Sequence, residues 1–335
     1  RHGSTTSKTP AKVQGDMMLG TNGNPVIFAG NSHPQLVEDI CAYLHQSVGK
    51  VEVFKFSNDN TFVRILENVR QKDVFILQST VEPVNDHIME MLIMIDAAKR
   101  ASAGRITAVV PFYSYARTDK KDQPRVPITG RLVADLLETA GAERVVMVDL
   151  HAGQVQGFFQ VPVDELTAMP KLVEYFVERD LDDPVVVATD IGISKKARDF
   201  ADSISAPLAI VEKRRLGNDD RVESLNVIGD VYGHPVILFD DEIGTGGTMM
   251  AAADAITKQG STDIYAVATH GVLSGDTSAR LAEVSHIKEV VITDTVPLSA
   301  DKVNFKMKVI SVAPLLGEAI KRIHEGRSVG ELFIQ

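Results

Sequence analysis

The sequence contains a single cysteine, Cys41, which excludes an intrachain disulfide. Cys41 falls among Leu36, Val37, Ile40 and Leu44 on an apolar helical stripe, so it reads as a core residue. A lone buried thiol suits a reducing compartment, most simply the cytoplasm. No apolar run approaches the roughly 20 residues that a membrane span needs, and no secretory signal is visible, so no membrane partner is expected. Positive charge is also scarce: 35 Lys and Arg face 45 Asp and Glu, a net charge of -10. Without a basic face, broad nucleic-acid binding is not expected.

What is present is ordinary for a globular chain. The 335 residues, 44% of them hydrophobic, predict about two domains, each with its own core. Arg1-His2-Gly3-Ser4 look like an expression scar, and residues 1–24, rich in Gly, Ser, Thr and Asn, read as a loose leader. The few basic residues cluster in Arg117 to Arg131, Lys195-Lys196-Arg198 and Lys213-Arg214-Arg215. Local basic clusters in an acidic protein suit a small polyanionic ligand. Lys195-Lys196 taken alone reads as solvated surface charge.

One stretch organises the rest. Val236-Ile237-Leu238-Phe239 reads as a buried strand, Asp240-Asp241-Glu242 as an acidic end, and Ile243 to Thr248 as a Gly/Thr turn before a helix from Met249 to Lys258. Glycines let backbone amides approach an anion, and a helix N-terminus adds partial positive charge. Carboxylates repel phosphate but suit hydroxyls, so the pattern fits a sugar phosphate, with diol on Asp240 and Asp241 and phosphate on the amides. A tight strand-to-helix turn with an acidic rim fits this stretch equally well. No Lys follows the glycines, so the loop is not a nucleotide-binding P-loop.

Strand patterns at 26–29, 51–54, 62–66, 74–78, 105–111 and 144–149 alternate with helical patterns at 34–47, 87–101 and 129–139, which predicts a parallel α/β sheet. The 87–101 helix is apolar on almost every side, so it lies within a core or against another subunit. Leu136 to His151 and Ala255 to His270 repeat one pattern: helix end, glycine turn, strand, histidine. That repeat suggests two similar domains joined near residues 160 to 168. The segment 312–322 reads as a last amphipathic helix.

Beyond the sugar-phosphate loop, three stretches resemble the ribose-phosphate pyrophosphokinase (PRPP synthetase) family. They are Pro111 to Asp122 continuing to Ile128, Val148 to Phe159, and the helix around Met91 to Ala97, joined by Glu212 to Arg215. The resemblance implies two tandem type I phosphoribosyltransferase-like α/β domains, residues 25–165 and 166–335, each a mainly parallel sheet flanked by helices. The C-terminal segment is expected to have the option of packing on the first domain. The implied activity is Mg2+-dependent transfer of the diphosphoryl group of ATP to the anomeric hydroxyl of ribose 5-phosphate. The implied catalytic groups are Lys213, Arg215 and His151. ATP would be bound by Phe56, Asn58, Asn60, Arg117, Thr118, Lys120, Lys121 and His151, with Lys120 to Arg125 as a mobile flap. Ribose 5-phosphate would be bound by Asp240, Asp241, Thr245, Gly246, Gly247 and Thr248, and the metal by Asp149, His151 and Asp190. A homo-oligomer, a hexamer in the family, would share each adenine site between subunits.

Two departures from the family pattern stand out. Asn60 replaces a usual glutamate, and Gly244 replaces a usual aspartate before the loop's first threonine. A weakly active or inactive regulatory homologue and a purine-salvage phosphoribosyltransferase are the alternative readings.

Overall fold

Runs such as Val185–Ala188, apolar at every position, are buried on both faces, as a parallel sheet covered by helices on either side requires. The computed structural model describes residues 23–215 and 223–333, and of residues 213–215, 223, 224 and 333 the backbone alone. The expected leader therefore lies outside the described residues except for Gly23 and Asn24.

The first half runs β1 (Val26–Ala29), α1 (Pro34–Tyr43), β2 (Val51–Lys55), β3 (Thr61–Ile65), β4 (Asp73–Leu77), α2 (Val84–Arg100), β5 (Arg105–Val110), α3 (Thr129–Ala140), β6 (Arg144–Val148) and β7 (Val163–Leu166). Its sheet has the order β1-β4-β5-β6-β7 and is parallel throughout. The two patterns expected as further strands at 51–54 and 62–66 form a separate antiparallel hairpin, β2–β3. The reason is the link: Phe56 to Asn60 holds no helix, and so short a connection allows only an antiparallel return.

The second half runs α4 (Met169–Arg179), β8 (Val185–Ala188), α5 (Ser194–Ser203), β9 (Leu208–Arg215), β10 (Glu223–Ile228), β11 (Val236–Glu242), α6 (Gly247–Lys258), β12 (Ile264–His270), α7 (Thr277–Glu283), β13 (Ile287–Thr293), β14 (Met307–Ile310) and α8 (Ala313–His324). The order is β10-β9-β8-β11-β12-β13-β14, with only β10 antiparallel to its neighbour. The chain enters this sheet in its interior at β8, runs outward through β9 and β10, then returns to β11 on the other side of β8. The helix after β8 packs on one face, with Phe200 against Ile237 and Phe239. The helix after β11 packs on the opposite face, with Ala252 and Ile256 against Val185 and Leu238.

Alternation along β4 sends Val74 and Ile76 to one face, against Met91 and Met94 of α2 and Leu137 of α3. Phe75 and Leu77 point the other way, against Leu36 and Ile40 of α1 and Leu316 and Ile320 of α8. The last helix thus crosses back to complete the core of the first sheet. Each such aliphatic side chain contributes about 1.5–3 kcal/mol when fully buried. Gly317 permits the contact, because a Cβ there would sit 2.5 Å from the ring of Tyr43. The far end of α8 is latched by the buried Asp73, which accepts hydrogen bonds from Arg105 Nε (2.8 Å) and His324 Nδ1 (2.9 Å). Cys41 is buried in this core, and burial pushes its thiol up to about 11.

The helix expected to be apolar all round, α2, buries Ile88, Met91, Met94 and Ile95, while Met89 is exposed. Its one buried carboxylate, Glu90, is satisfied by the Asn31 backbone N–H (2.6 Å), Asn31 Nδ2 (2.8 Å) and Gln78 Nε2 (2.6 Å).

Candidate active site

Where neighbouring strands connect to opposite faces of an open sheet, a crevice opens beyond their carboxyl ends. Here that place is the gap between β8 and β11. Asp190 follows β8, and Asp240 to Thr248 close β11 and open α6. The crevice is lined by Asp190 and this whole loop from the second half, and by Arg117 and His151 from the first.

The loop is shaped by its glycines. Gly246 has φ +71°, and a Cβ there would meet Thr277 of α7 at 2.7 Å, so glycine is required twice over. Ser274 and Leu273 donate backbone N–H groups to the carbonyls of Gly244 and Ile243 and pin the loop from behind. No side chain caps the first turn of α6, which leaves its amides and the positive end of the helix dipole for an anion. Gly244 differs from Gly246. Its φ is not left-handed, and a Cβ there would have ordinary contact with Glu242 Oε1 at 3.4 Å.

The three acidic residues divide their partners. Asp240 Oδ2 accepts from the Thr189 hydroxyl (2.7 Å), and its Oδ1 accepts from the Asp241 backbone N–H (2.8 Å). Burial raises the Asp240 pKa, aided by the neighbouring Asp241 charge. Burial also works against ionisation of Asp241, but the bond and charge of His151 outweigh it and leave that carboxyl lowered. His151 Nδ1 donates to Asp241 Oδ2 at 2.7 Å, and that bond raises the imidazole's pKa against the effect of burial. Nε2 of His151 bonds to no described residue. Glu242 pairs with Arg117, Oε2 to Nε at 3.3 Å. Arg117 and His151 of one half are thus each paired with a carboxylate of the other.

Asp149, expected beside His151 and Asp190, is buried at φ +41° and does not line the crevice that they line. Its Oδ2 accepts from the Ala168 N–H (2.9 Å) and the Thr269 hydroxyl (2.7 Å). Among the described residues no three His, Cys, Asp or Glu side chains could by themselves hold a metal ion. Thr118 and Lys120 line a second pocket that shares Arg117, while Lys121 is exposed nearby. Phe56, Asn58 and Asn60 lie at the tip of the β2–β3 hairpin, where Phe56 packs edge-on against Phe54 and Phe62. None of the three lines the crevice of this chain. Lys213 and Arg215 sit on the part of β9 that runs past Ile210, the partner of the last residue of β8. Their side chains lie outside the described residues.

Sequence reasoning missed Thr189, Glu242, Thr269, His270 and Lys196 as contributors. Lys196, expected at the surface, is half-buried and donates to the Leu150 carbonyl at 3.0 Å. The signal for His270 was present, since the repeat aligns it with His151.

A glycine-rich loop opening a helix at the reversal point of a mainly parallel sheet, faced by Arg117 and His151 from a second parallel sheet, is the architecture of the phosphoribosyltransferase-like class of α/β transferases. A profile of the N-terminal domain of ribose phosphate pyrophosphokinase matches residues 25–141, and one of the phosphoribosyl synthetase-associated domain matches residues 218–334. The ribose-phosphate pyrophosphokinase of Caldanaerobacter subterraneus subsp. tengcongensis is 54% identical over 308 residues, covering 92% of this chain and 97% of that protein. That of Clostridium acetobutylicum is 51% identical over 318 residues, covering 94% and 99%. The crystal structure of phosphoribosylpyrophosphate synthetase from Mycobacterium smegmatis superposes with a TM-score of 0.86 at 46% identity, covering 91% of this chain and all of that one. The chain belongs to the ribose-phosphate pyrophosphokinase family and is an enzyme.

Proposed function

We propose that the chain transfers the diphosphoryl group of ATP to the anomeric hydroxyl of ribose 5-phosphate, yielding 5-phosphoribosyl 1-diphosphate and AMP. The observation that carries this reading is the crevice, where a phosphate cradle and an acidic pair from one half face Arg117 and His151 from the other. Ribose 5-phosphate is held at both ends: hydroxyls on Asp240 and Asp241, phosphate on the amides of Thr245 to Thr248. The anomeric oxygen attacks the β-phosphorus, the bond to the α-phosphate oxygen breaks, and AMP leaves. Little covalent chemistry is asked of the protein, so rate comes from positioning and from cations aimed at the transferring charge. Arg117, with Thr118, Lys120 and Lys121, receives the triphosphate, and Lys213 and Arg215 on β9 serve the transferring group.

Mg2+ suits this site. It keeps several waters and uses one or two carboxylates with substrate phosphates, so a three-ligand protein cluster is not needed. Asp190 supplies a carboxylate, and His151 has Nδ1 on Asp241 with Nε2 turned free, the arrangement that orients a metal-binding imidazole. When bound, the ion would neutralise phosphate charge. Asp149 serves this reading by fixing the corner that bears His151.

The adenine site is completed by Phe56, Asn58 and Asn60 of a neighbouring subunit in a homo-oligomer. The exposed Phe54, Phe56, Met89 and Leu132 are apolar surface for such contacts. A cytoplasmic location belongs to the same reading. The test is AMP release from ATP, ribose 5-phosphate and Mg2+, with each omitted in turn. AMP that appears without ribose 5-phosphate, or none at all at saturating substrates, would overturn it. Light scattering that finds only single chains would remove the shared site.

A further inference from the structure

His151 sits on a corner, Asp149 to His151, that its own sheet holds only in part. The Asp149 N–H bonds to Leu166 O (2.9 Å) and the Leu150 N–H to Glu165 Oε1 (2.9 Å), both within the first half. The Asp149 and Leu150 carbonyls are instead held from the second half. Asp149 O accepts from His270 Nε2 (3.1 Å), and Leu150 O accepts from Lys196 Nζ (3.0 Å). The backbone between them is strained, with Asp149 at φ +41°.

Lys196 is in the first turn of α5, and so is Lys195. A cation there opposes the helix dipole, which favours negative charge at that end. Helix stability therefore gives no reason for a lysine at this position. Its surroundings do: beyond the Leu150 carbonyl, the ammonium's charge favours the ionised form of Asp241 and partly offsets the burial that raises Glu165. One side chain so touches the backbone that carries His151 and sits in the field of the carboxylate that bonds its imidazole. Lys195, its neighbour, is exposed.

We infer that Lys196 is a positioning residue, which braces the Asp149–His151 corner from the opposite half and so sets where His151 Nε2 stands in the crevice. This rests on the function proposed above. A surface lysine would be dispensable, whereas a brace acts on turnover through His151 and leaves the amides of Thr245 to Thr248 alone.

The test compares Lys196→Met, Lys196→Arg, Lys196→Gln and Lys195→Met. Lys196→Met is expected to lower kcat at least tenfold with KM for ribose 5-phosphate within threefold, and Lys196→Arg to restore kcat to within threefold of wild type. Hydrogen exchange of the Leu150 to Gly153 amides should quicken in Lys196→Met and stay unchanged in Lys195→Met, which keeps full turnover. If Lys196→Met fails to fold, Lys196→Gln keeps a donor without the charge and should fall between. The inference is overturned if kcat of the folded variant stays within twofold of wild type, if arginine does not rescue, or if the corner amides exchange as before. A wild type that releases no AMP would defeat the proposed function, while the exchange arm still decides the brace.

Discussion

Two segments with one sequence pattern end in histidines with opposite fates. Leu136 to His151 and Ala255 to His270 each leave a helix through a glycine in the left-handed region, Gly141 at φ +128° and Gly260 at φ +88°, and each runs a buried strand. His151 then emerges 42% exposed, and its bond to Asp241 raises its pKa. His270 is buried, and burial lowers its pKa. Its Nε2 must carry the proton, because its partner is a carbonyl, so Nδ1 accepts from the Thr295 hydroxyl at 2.8 Å. Topology separates the two. The strands of the first sheet follow chain order and leave no reversal, and its histidine lines the crevice of the other sheet. The second sheet has the reversal, and its histidine becomes a strut for the first. A repeated sequence repeats the local structure, but the sheet that holds the reversal point decides the role.

The comparison can be broken or sharpened by substitution. The largest effect is expected from Lys213→Ala, on the strand beside the crevice. Loss of one preorganised charge contact there should lower kcat by about 10²–10³ with little change in KM. Near-normal turnover would remove β9 from the chemistry. Next is Asp73→Ala, at the α8 latch of the first sheet, away from the crevice. It leaves Arg105 and His324 facing each other without their carboxylate and should cost about 3 kcal/mol of stability. Thermal unfolding should show the loss while KM for both substrates stays unchanged.

His270→Asn tests the strut by its pH dependence. The folded pKa lies below the reference 6.5. As pH falls through 6.5 the unfolded wild type gains a proton that the folded form refuses, so wild-type stability drops relative to the variant. The wild type should be more stable by about 1–2 kcal/mol at pH 8, and denaturant titrations should show that advantage shrinking toward pH 5.5. An advantage that grows instead would mean the folded state holds His270 charged. The smallest effect is expected from Gly244→Asp. The space accepts a Cβ, but beside Glu242, so the gain of a polar contact is offset by like charge. KM for ribose 5-phosphate should fall by no more than about threefold, equivalent to roughly 0.7 kcal/mol, in steady-state assays. A rise would show that repulsion prevails.

Much of this was legible in the chain, and for physical reasons. The loop is contiguous, so the strand, the acidic end, the glycine turn and the helix of residues 236–258 can be placed from the sequence in the order in which they occur. The sequence predicts β1 at Val26–Ala29 and it lies there, a run too short for a helix and bounded by Pro25 and Gly30. The patterns at 51–54 and 62–66 mark two strands, and only the short link between them carries the information that they pair with each other as a separate hairpin. Contacts between the halves were not legible. His151 and Asp241 meet across 90 positions, Lys196 and Leu150 across 46. Nothing in helical periodicity distinguishes a lysine that meets solvent from one that meets another domain's backbone.

The order in which the chain is made gives the α8 contact a further meaning. Ile27, Phe75 and Leu77 are synthesised early, yet Leu316 and Ile320, which cover them, follow every strand of the second sheet. At about 5–20 residues per second, the nascent first sheet waits on the order of ten seconds with that face covered by α1 alone. The core of the first sheet is therefore complete only once the chain beyond the last strand of the second has been made.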